Sequence, residues 1–346
     1  MMKVIVDGFG GDNAPIAVLK GCELAVREYG VTVLLTGDTE KLTACAQENG
    51  VSLAGFEFAN ATQVISMEDE PTDVIKAKSD CSMAVGLKLL KEGKGDAFVS
   101  AGSTGALVVG SSTLVGRIKG IKRAALAPML PTSKGMYMLM DSGANLDCRP
   151  EMLVQFGIMG SVYMGKIAGI SNPRVGVVNV GTEETKGTEL ELEANELFKL
   201  APVNCIGNVE ARELPLGGCE VAVTDGFTGN VILKLTEGLA KGFSANIKKM
   251  LLKNAGTKLA ALLLKSGLQE FKKSMDYTEY GGAPLMGINK PVIKAHGSSD
   301  AKAFKNAIRQ AKAFHEQNVI GEIEAGLKTL SSKMAERESA QVGAAE

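Results

Sequence analysis

Short apolar runs, each followed by a loop of small polar residues, set the rhythm of this chain. Residues 4–6 are Val-Ile-Val and run into Asp7-Gly8-Phe9-Gly10-Gly11-Asp12-Asn13, after which Pro15 opens a helical stretch. The same order recurs at 31–35 before Gly37-Asp38, and at 97–99 before Ser100-Ala101-Gly102-Ser103-Thr104-Gly105. It recurs at 137–140 before Asp141-Ser142-Gly143-Ala144-Asn145, and at 175–180 before Gly181-Thr182-Glu183-Glu184-Thr185-Lys186-Gly187. The last instance is 221–223 before Thr224-Asp225-Gly226-Phe227-Thr228-Gly229-Asn230. Runs of this kind, separated by helical stretches, predict an α/β chain with a largely parallel sheet covered by helices on both faces. In such a sheet ligands sit beyond the carboxyl ends of the strands, where these loops are.

Two longer segments carry helical periodicity. The stretch 298–335 reads as one helix, capped by Ser298, Ser299 or Asp300, with Phe304, Ile308 and Ala311 on one face. The most apolar stretch, 152–170, is interrupted by Gln155, Ser161 and Lys166, and Pro150 suits a helix first turn. It reads as a buried core helix, because about 18 uninterrupted apolar residues are needed to span a bilayer. A third segment differs in charge. Residues 247–275 hold seven lysines and one acid, Glu270, in a chain whose formal net charge is −1. Met250-Leu251-Leu252 and Leu259 to Leu264 lie in the same segment, with Gly256 between them, which suggests a helical hairpin with an apolar tip and a basic skirt.

With 346 residues the chain is long enough for one large unit or two lobes sharing a core. No low-complexity linker divides it. Residues 1–336 therefore read as a single two-lobed catalytic unit and the polar 337–346 as a frayed tail. The near-neutral net charge and the absence of Trp argue against a nucleic-acid binder. Six scattered cysteines form no CxxC pair, as in a reduced, cytoplasmic protein. The N-terminal apolar run meets Asp7 too early for a signal peptide. Only His296 and His315 are present, so a His-rich metal site is excluded.

The architecture invites nucleotide motifs, and they fail. A GxGxxG pattern from Gly8 would need glycine where Asn13 stands, and no GxxxxGK[ST] loop occurs. What remains is a set of glycine-rich loops that open helices. The unpaired N–H groups and partial positive charge of a helix start suit phosphate. One such loop is ordinarily only a tight turn, whereas several along one sheet edge can form a site. The candidates for phosphate binding in these loops are Gly10, Gly11, Asp12, Ser103, Thr104, Gly105, Asn145, Asp225, Gly226, Thr228, Gly229, His296 and Ser298. Asp12 and Asp225 are suited to ordering their loops, since a carboxylate beside phosphate repels it.

Taken together these motifs resemble those of the bacterial phosphate acyltransferases of phospholipid synthesis, the PlsX family. The resemblance runs from Asp7-Gly8-Phe9-Gly10-Gly11-Asp12-Asn13-Ala14-Pro15 through Ser100 to Ala106 and Asp141 to Cys148. It continues through Asn179 to Gly187, Gly207-Asn208-Val209-Glu210, Asp225 to Asn230 and His296-Gly297-Ser298-Ser299. Gly8-Phe9 stands where the family usually has Ala-Met. The resemblance implies a homodimeric three-layer α/β/α sandwich, similar to phosphotransacetylases and isopropylmalate dehydrogenases. It implies transfer of a fatty acyl group from acyl-carrier protein to inorganic phosphate, with no cofactor. It also implies roles for Lys186, as the cation that orients phosphate, and for Asn230, as a donor to phosphate or to the developing oxyanion. From residue type alone, Lys186 is a solvated loop lysine and Asn230 a helix cap.

The lysine-rich hairpin admits three readings: an anionic membrane surface, the acidic carrier protein, or packing against a second subunit. Leu262, Leu263 and Leu264 with Lys258 and Lys265 are the contact candidates. Attachment would hold a peripherally membrane-associated enzyme near a downstream membrane acyltransferase that uses its product. The rivals are a phosphotransacetylase or phosphotransbutyrylase acting on acyl-CoA, a decarboxylating dehydrogenase on a related fold, and a non-catalytic module that binds acyl-carrier protein.

Overall fold

The computed structural model describes residues 1–267 and 281–345. Strands and helices alternate through the first lobe. β1 (Lys3–Asp7) leads to α1 (Ile16–Tyr29), β2 (Thr32–Gly37) to α2 (Thr39–Glu48), and β3 (Phe56–Asn60) through a 3-10 turn to α3 (Ser82–Lys91). β4 (Ala97–Ser100) leads to α4 (Thr104–Gly110). Two short strands, β5 (Ala125–Leu126) and β6 (Met129–Thr132), cross to a second lobe. That lobe holds β7 (Gly135–Met140), α5 (Pro150–Lys166), β8 (Arg174–Asn179), α6 (Glu189–Phe198), β9 (Asn204–Glu210) and β10 (Val221–Val223). α7 (Gly226–Leu251) and α8 (Ala255–Leu263) follow. The chain then returns to the first lobe with β11 (Ala283–Met286), β12 (Val292–Lys294) and α9 (Ala301–Glu316), and ends in α10 (Val319–Ala345), which packs mainly on α5 of the second lobe.

The expected largely parallel sheet is present, divided in two. One sheet has the order β3-β2-β1-β4-β12-β11-β5 and the other β6-β7-β10-β8-β9. Pairing is parallel from β3 through β12 and from β7 through β9; among the described residues only the β12–β11, β11–β5 and β6–β7 pairs are antiparallel. The sheets are tied where the chain crosses over: Leu139 N donates to Pro128 O at 3.1 Å and Ser142 N to Leu126 O at 3.0 Å.

β1 explains why the apolar runs do not alternate with polar residues. Val4 and Val6 enter the core cluster with Leu19 of α1 and Phe304 of α9, while Ile5 enters the opposite cluster with Met83 and Leu87 of α3. Successive strand residues face opposite layers, and here both layers are dry. α1 and α9 cross closely because Gly21 has no side chain; a Cβ there would run into Phe304. In the second lobe α5 is buried along most of its length and carries Pro150 in its first turn, as its apolar sequence requires.

Three local readings are corrected. The helix expected over 298–335 is two, α9 and α10, broken at Asn318, whose φ of +50° no continuous helix accepts. Asp300 is the cap of α9, accepting from Ala303 N at 2.8 Å, and α10 runs past Arg337, where fraying was expected. The turn of the lysine-rich segment is at Leu252 to Asn254, not Gly256. Asn254 caps α8 through Thr257 N at 2.9 Å, which puts Gly256 inside the helix. The segment's Glu270, Lys272, Lys273 and Met275 lie outside the described residues.

Candidate active site

The loops after β1, β4 and β12 meet at one sheet edge. Asp12 N donates to Gly297 O at 2.8 Å, and Asn13 Nδ2 reaches Ser298 O at 3.1 Å and Ser299 O at 3.3 Å. Gly11 has φ +101°, and a Cβ there would lie 2.9 Å from Gly297 O, so the approach requires glycine. Beneath them Asp7 is buried and accepts from Ser82 Oγ at 2.6 Å, Ser100 Oγ at 2.7 Å and Phe9 N at 3.2 Å. Burial pushes its carboxyl above the ordinary carboxylate range, against the pull of those hydrogen bonds. Gly10 leaves room for this carboxylate, because a Cβ there would lie 2.6 Å from Asp7 Oδ2. Ser103 caps α4 through Ala106 N at 3.5 Å, and Gly105 faces Pro71.

The second lobe builds its side on Asp141, also buried. Its carboxylate accepts from Leu126 N at 2.9 Å, Asn145 N at 2.6 Å and Asn145 Nδ2 at 2.9 Å. Asn145 Nδ2 also donates to Ala124 O at 2.7 Å, and Asn145 O accepts from Gly226 N at 2.7 Å. Asp225 caps α7 through Thr228 N at 2.9 Å. A Cβ at Gly226 would run into Asn145 O, and one at Gly229 into Asp141 O. Asn145, Asp225, Gly226, Thr228 N and Gly229 thus lock the start of α7 onto the loop after β7. Asn230 is not the cap. It stands one turn into α7 over Gly143, where a Cβ would be 3.5 Å from it, and its amide is released from capping.

Between the two halves lies a cavity of about 330 Å³. Leu126, Pro128, Met129, Leu130 and Leu233 give it an apolar wall, while Thr104, Asn230, Lys294, His296 and Ser299 line its polar part. Lys294, at the carboxyl end of β12, is 8% exposed. Its ammonium donates to Ala295 O at 2.5 Å and Ala101 O at 3.3 Å. Burial drives its pKa down to about 8, with Asp7 and Asp12 opposing. His296 Nδ1 accepts from Ser298 N at 3.2 Å and lies 2.8 Å from Ser298 Oγ, which fixes the ring at the rim. Loss of water holds His296 below its ordinary pKa. Lys234 also lines the cavity but is exposed and paired with Glu237 at 3.0 Å.

Of the sequence candidates, Thr104, Asn230 and His296 line this cavity, and Gly10, Gly11, Asp12, Asn145, Asp225 and Gly229 shape the loops around it. Lys186 does not line it. It is exposed in the loop after β8, with its N donating to Glu183 O at 3.1 Å and its O accepting from Asn179 Nδ2 at 2.9 Å. Leu262, Leu263 and Leu264 are 57–79% exposed, and Lys258 and Lys265 are exposed beside them. No helix among the described residues is long and apolar enough to cross a membrane. Lys294 and Ser299 were missed as cavity residues. The available signal was a single lysine ending the apolar run Val292-Ile293, a charge set in a strand that must be buried.

A family model described as fatty acid synthesis protein matches residues 2–322. A phosphate acyltransferase of Alkaliphilus oremlandii is 51% identical over 329 residues, covering 95% of this chain and 98% of that protein. Among solved structures, a phosphotransacetylase from Streptococcus pyogenes matches with a TM-score of 0.62 at 20% identity, covering 90% of this chain and 94% of that one. A 4-hydroxythreonine-4-phosphate dehydrogenase from Klebsiella pneumoniae matches with a TM-score of 0.51 at 14% identity, covering 90% and 99%. These two likenesses establish the fold, an α/β architecture common to phosphotransacetylases and a dehydrogenase. The match along the sequence goes further: the chain belongs to the fatty acid synthesis protein family.

Proposed function

We propose that this chain transfers a fatty acyl group from the thioester of acyl-carrier protein to inorganic phosphate, giving an acyl phosphate for phospholipid synthesis and the free carrier thiol. The observation that carries this reading is the two-sided cavity, with an apolar wall for the acyl thioester beside hydrogen-bond donors and a buried ammonium for an anion. The name of the relatives, phosphate acyltransferase, supports it.

The reaction suits the inventory. Phosphate is already an anionic nucleophile and a thioester is already activated, so neither a serine nor a cysteine nucleophile is needed. Holding the two in line contributes up to roughly 7–11 kcal/mol, and donors aimed at the tetrahedral oxyanion add to it. Asn230, with its amide released from capping, is the donor to that oxyanion or to phosphate. Lys186, exposed and outside the cavity wall, enters this reading as a second phosphate cation on the strength of its motif alone.

A homodimer is part of the reading. Phe227, Val231, Leu235, Leu239 and Phe243 recur every fourth residue along α7 and are each at least half exposed, an apolar stripe that a second copy would cover. The exposed leucines and lysines of the hairpin suit an anionic membrane surface or the acidic carrier. A cytoplasmic enzyme held there peripherally would deliver its acyl phosphate to a downstream membrane acyltransferase.

The test is thiol release and acyl-phosphate formation by the purified chain, with long-chain acyl-carrier protein or matched acyl-CoA, with and without phosphate. Phosphate-dependent turnover on the carrier donor is expected, with Lys186→Ala and Asn230→Ala lowering it about 100-fold or more. Turnover mainly on short acyl-CoA would move the chain to the phosphotransacetylase class, and binding of the carrier without turnover would make it a binding module.

A further inference from the structure

Two groups at the polar end of the cavity have bonding capacity that the protein itself does not fill. An ammonium carries three N–H donors. Lys294 gives two to the carbonyls of Ala101 and Ala295, and no carboxylate lies within ion-pair distance of it among the described residues. Ser299 is 4% exposed, and its Oγ has no hydrogen-bond partner among the described residues. An unmade hydrogen bond in a buried site is costly, and the attraction of Asp7 and Asp12 does not offset the burial of this ammonium. Both groups line the same cavity, and the neighbouring Lys234 has its charge answered by Glu237.

We propose that the Lys294 ammonium and the Ser299 hydroxyl together hold the phosphate nucleophile, each donating to one of its oxygens. The assignment rests on the acyl-to-phosphate reading above and deepens it. Lys294 stands on a rigid element: β12 is paired with β4, and the lysine's own backbone is registered against Ser100. Ser299 is held by its N–H donating to His296 O at 3.0 Å and by Asn13 Nδ2 on its carbonyl. The anion is thereby fixed by the fold, while the apolar wall is left to the thioester. The same chemistry would also suit a phosphate ester on the donor's thiol-bearing arm, and the kinetic arms separate the two.

The experiment takes the full chain and its variants Lys294→Met, Lys294→Arg and Ser299→Ala. Initial rates are measured against inorganic phosphate and against acyl-carrier protein separately, with the thermal shift produced by phosphate alone as a readout free of turnover. Lys294→Met should raise the phosphate KM at least about tenfold and Ser299→Ala about threefold to tenfold, with the donor KM within twofold of wild type. Lys294→Arg should recover part of the phosphate binding. Ser299→Ala removes no hydrogen bond within the protein, so it should fold even if Lys294→Met does not. Folded variants with unchanged phosphate KM and thermal shift would overturn the proposal, as would a rise confined to the donor KM. Phosphate binding that depends on Lys294 and Ser299 without any acyl transfer would keep the anion site and sink the acyltransferase reading.

Discussion

At the scale of single residues the site is built by releasing side chains from structural work. Asp225 caps α7 so that Asn230 need not, and Asp7 and Asp141 gather backbone N–H groups and hydroxyls so that the loops hold their shape without closing the cavity. Lys294 is held out of water at a cost, and that cost has a sign. Burial lowers its pKa from 10.5 to about 8, opposed by Asp7 and Asp12 and assisted by Lys234. Between those two values the unfolded chain binds the proton and the folded chain does not. The residue's stabilising contribution is therefore full above 10.5 and is lost as pH falls through about 8. In urea unfolding, the stability of wild type relative to Lys294→Met should rise from pH 8 to pH 10.5 by about 3 kcal/mol at most. The difference between the two proteins is the quantity to follow. Burial raises the pKa of Tyr137, Tyr163 and several cysteines, which lowers the stability of both proteins at high pH alike. A flat difference would mean that Lys294 titrates at its ordinary value and is not held dry.

At the scale of elements the hairpin stands apart from the rest of the chain. α8 has no buried residue, and Leu259, Leu262, Leu263 and Leu264 all lie open to solvent. A handful of leucines with flanking lysines gives weak, reversible attachment to an anionic bilayer, at about 1 kcal/mol per lysine near the surface. Leu262→Gln, Leu263→Gln and Leu264→Gln combined should abolish flotation with vesicles rich in anionic lipid and leave turnover in solution within about twofold. Undiminished flotation would assign these leucines to protein packing instead. The strands differ in how far they could be read. Those at 4–6, 97–99 and 221–223 were legible because they are buried on both faces and so carry no polar residues. β3 and β9, at sheet edges, mix polar with apolar residues and gave no such signal. β12 was missed because only three residues long, one of them lysine, it has no periodicity to read.

At the scale of the whole molecule, the cavity exists because the chain leaves the first lobe after β5 and comes back with β11 and β12. That return inserts Lys294 beside β4 and lays the His296 to Ser299 loop against the loop after β1. The meeting of these loops was legible as a set of glycine-rich turns along one sheet edge. The contribution of β12 was not, because it depends on a strand order in which residues 193 positions apart become neighbours. For the same reason the sequence singled out Lys186, which the motif carries, ahead of Lys294, which topology carries. The division of the cavity into an apolar wall from β5, β6 and α7 and a polar end from β12 is what the proposed reading uses, with the thioester assigned to one side and the anion to the other.

The central claim is that a phosphate oxygen attacks the thioester carbonyl directly. Mass spectrometry of acyl phosphate formed from acyl-carrier protein and fully ¹⁸O-labelled phosphate tests it most directly. Direct attack predicts a product that retains all four labelled oxygens, since the bridging oxygen comes from phosphate. A product with three labelled oxygens, its bridging oxygen supplied by a free fatty acid, would contradict the account.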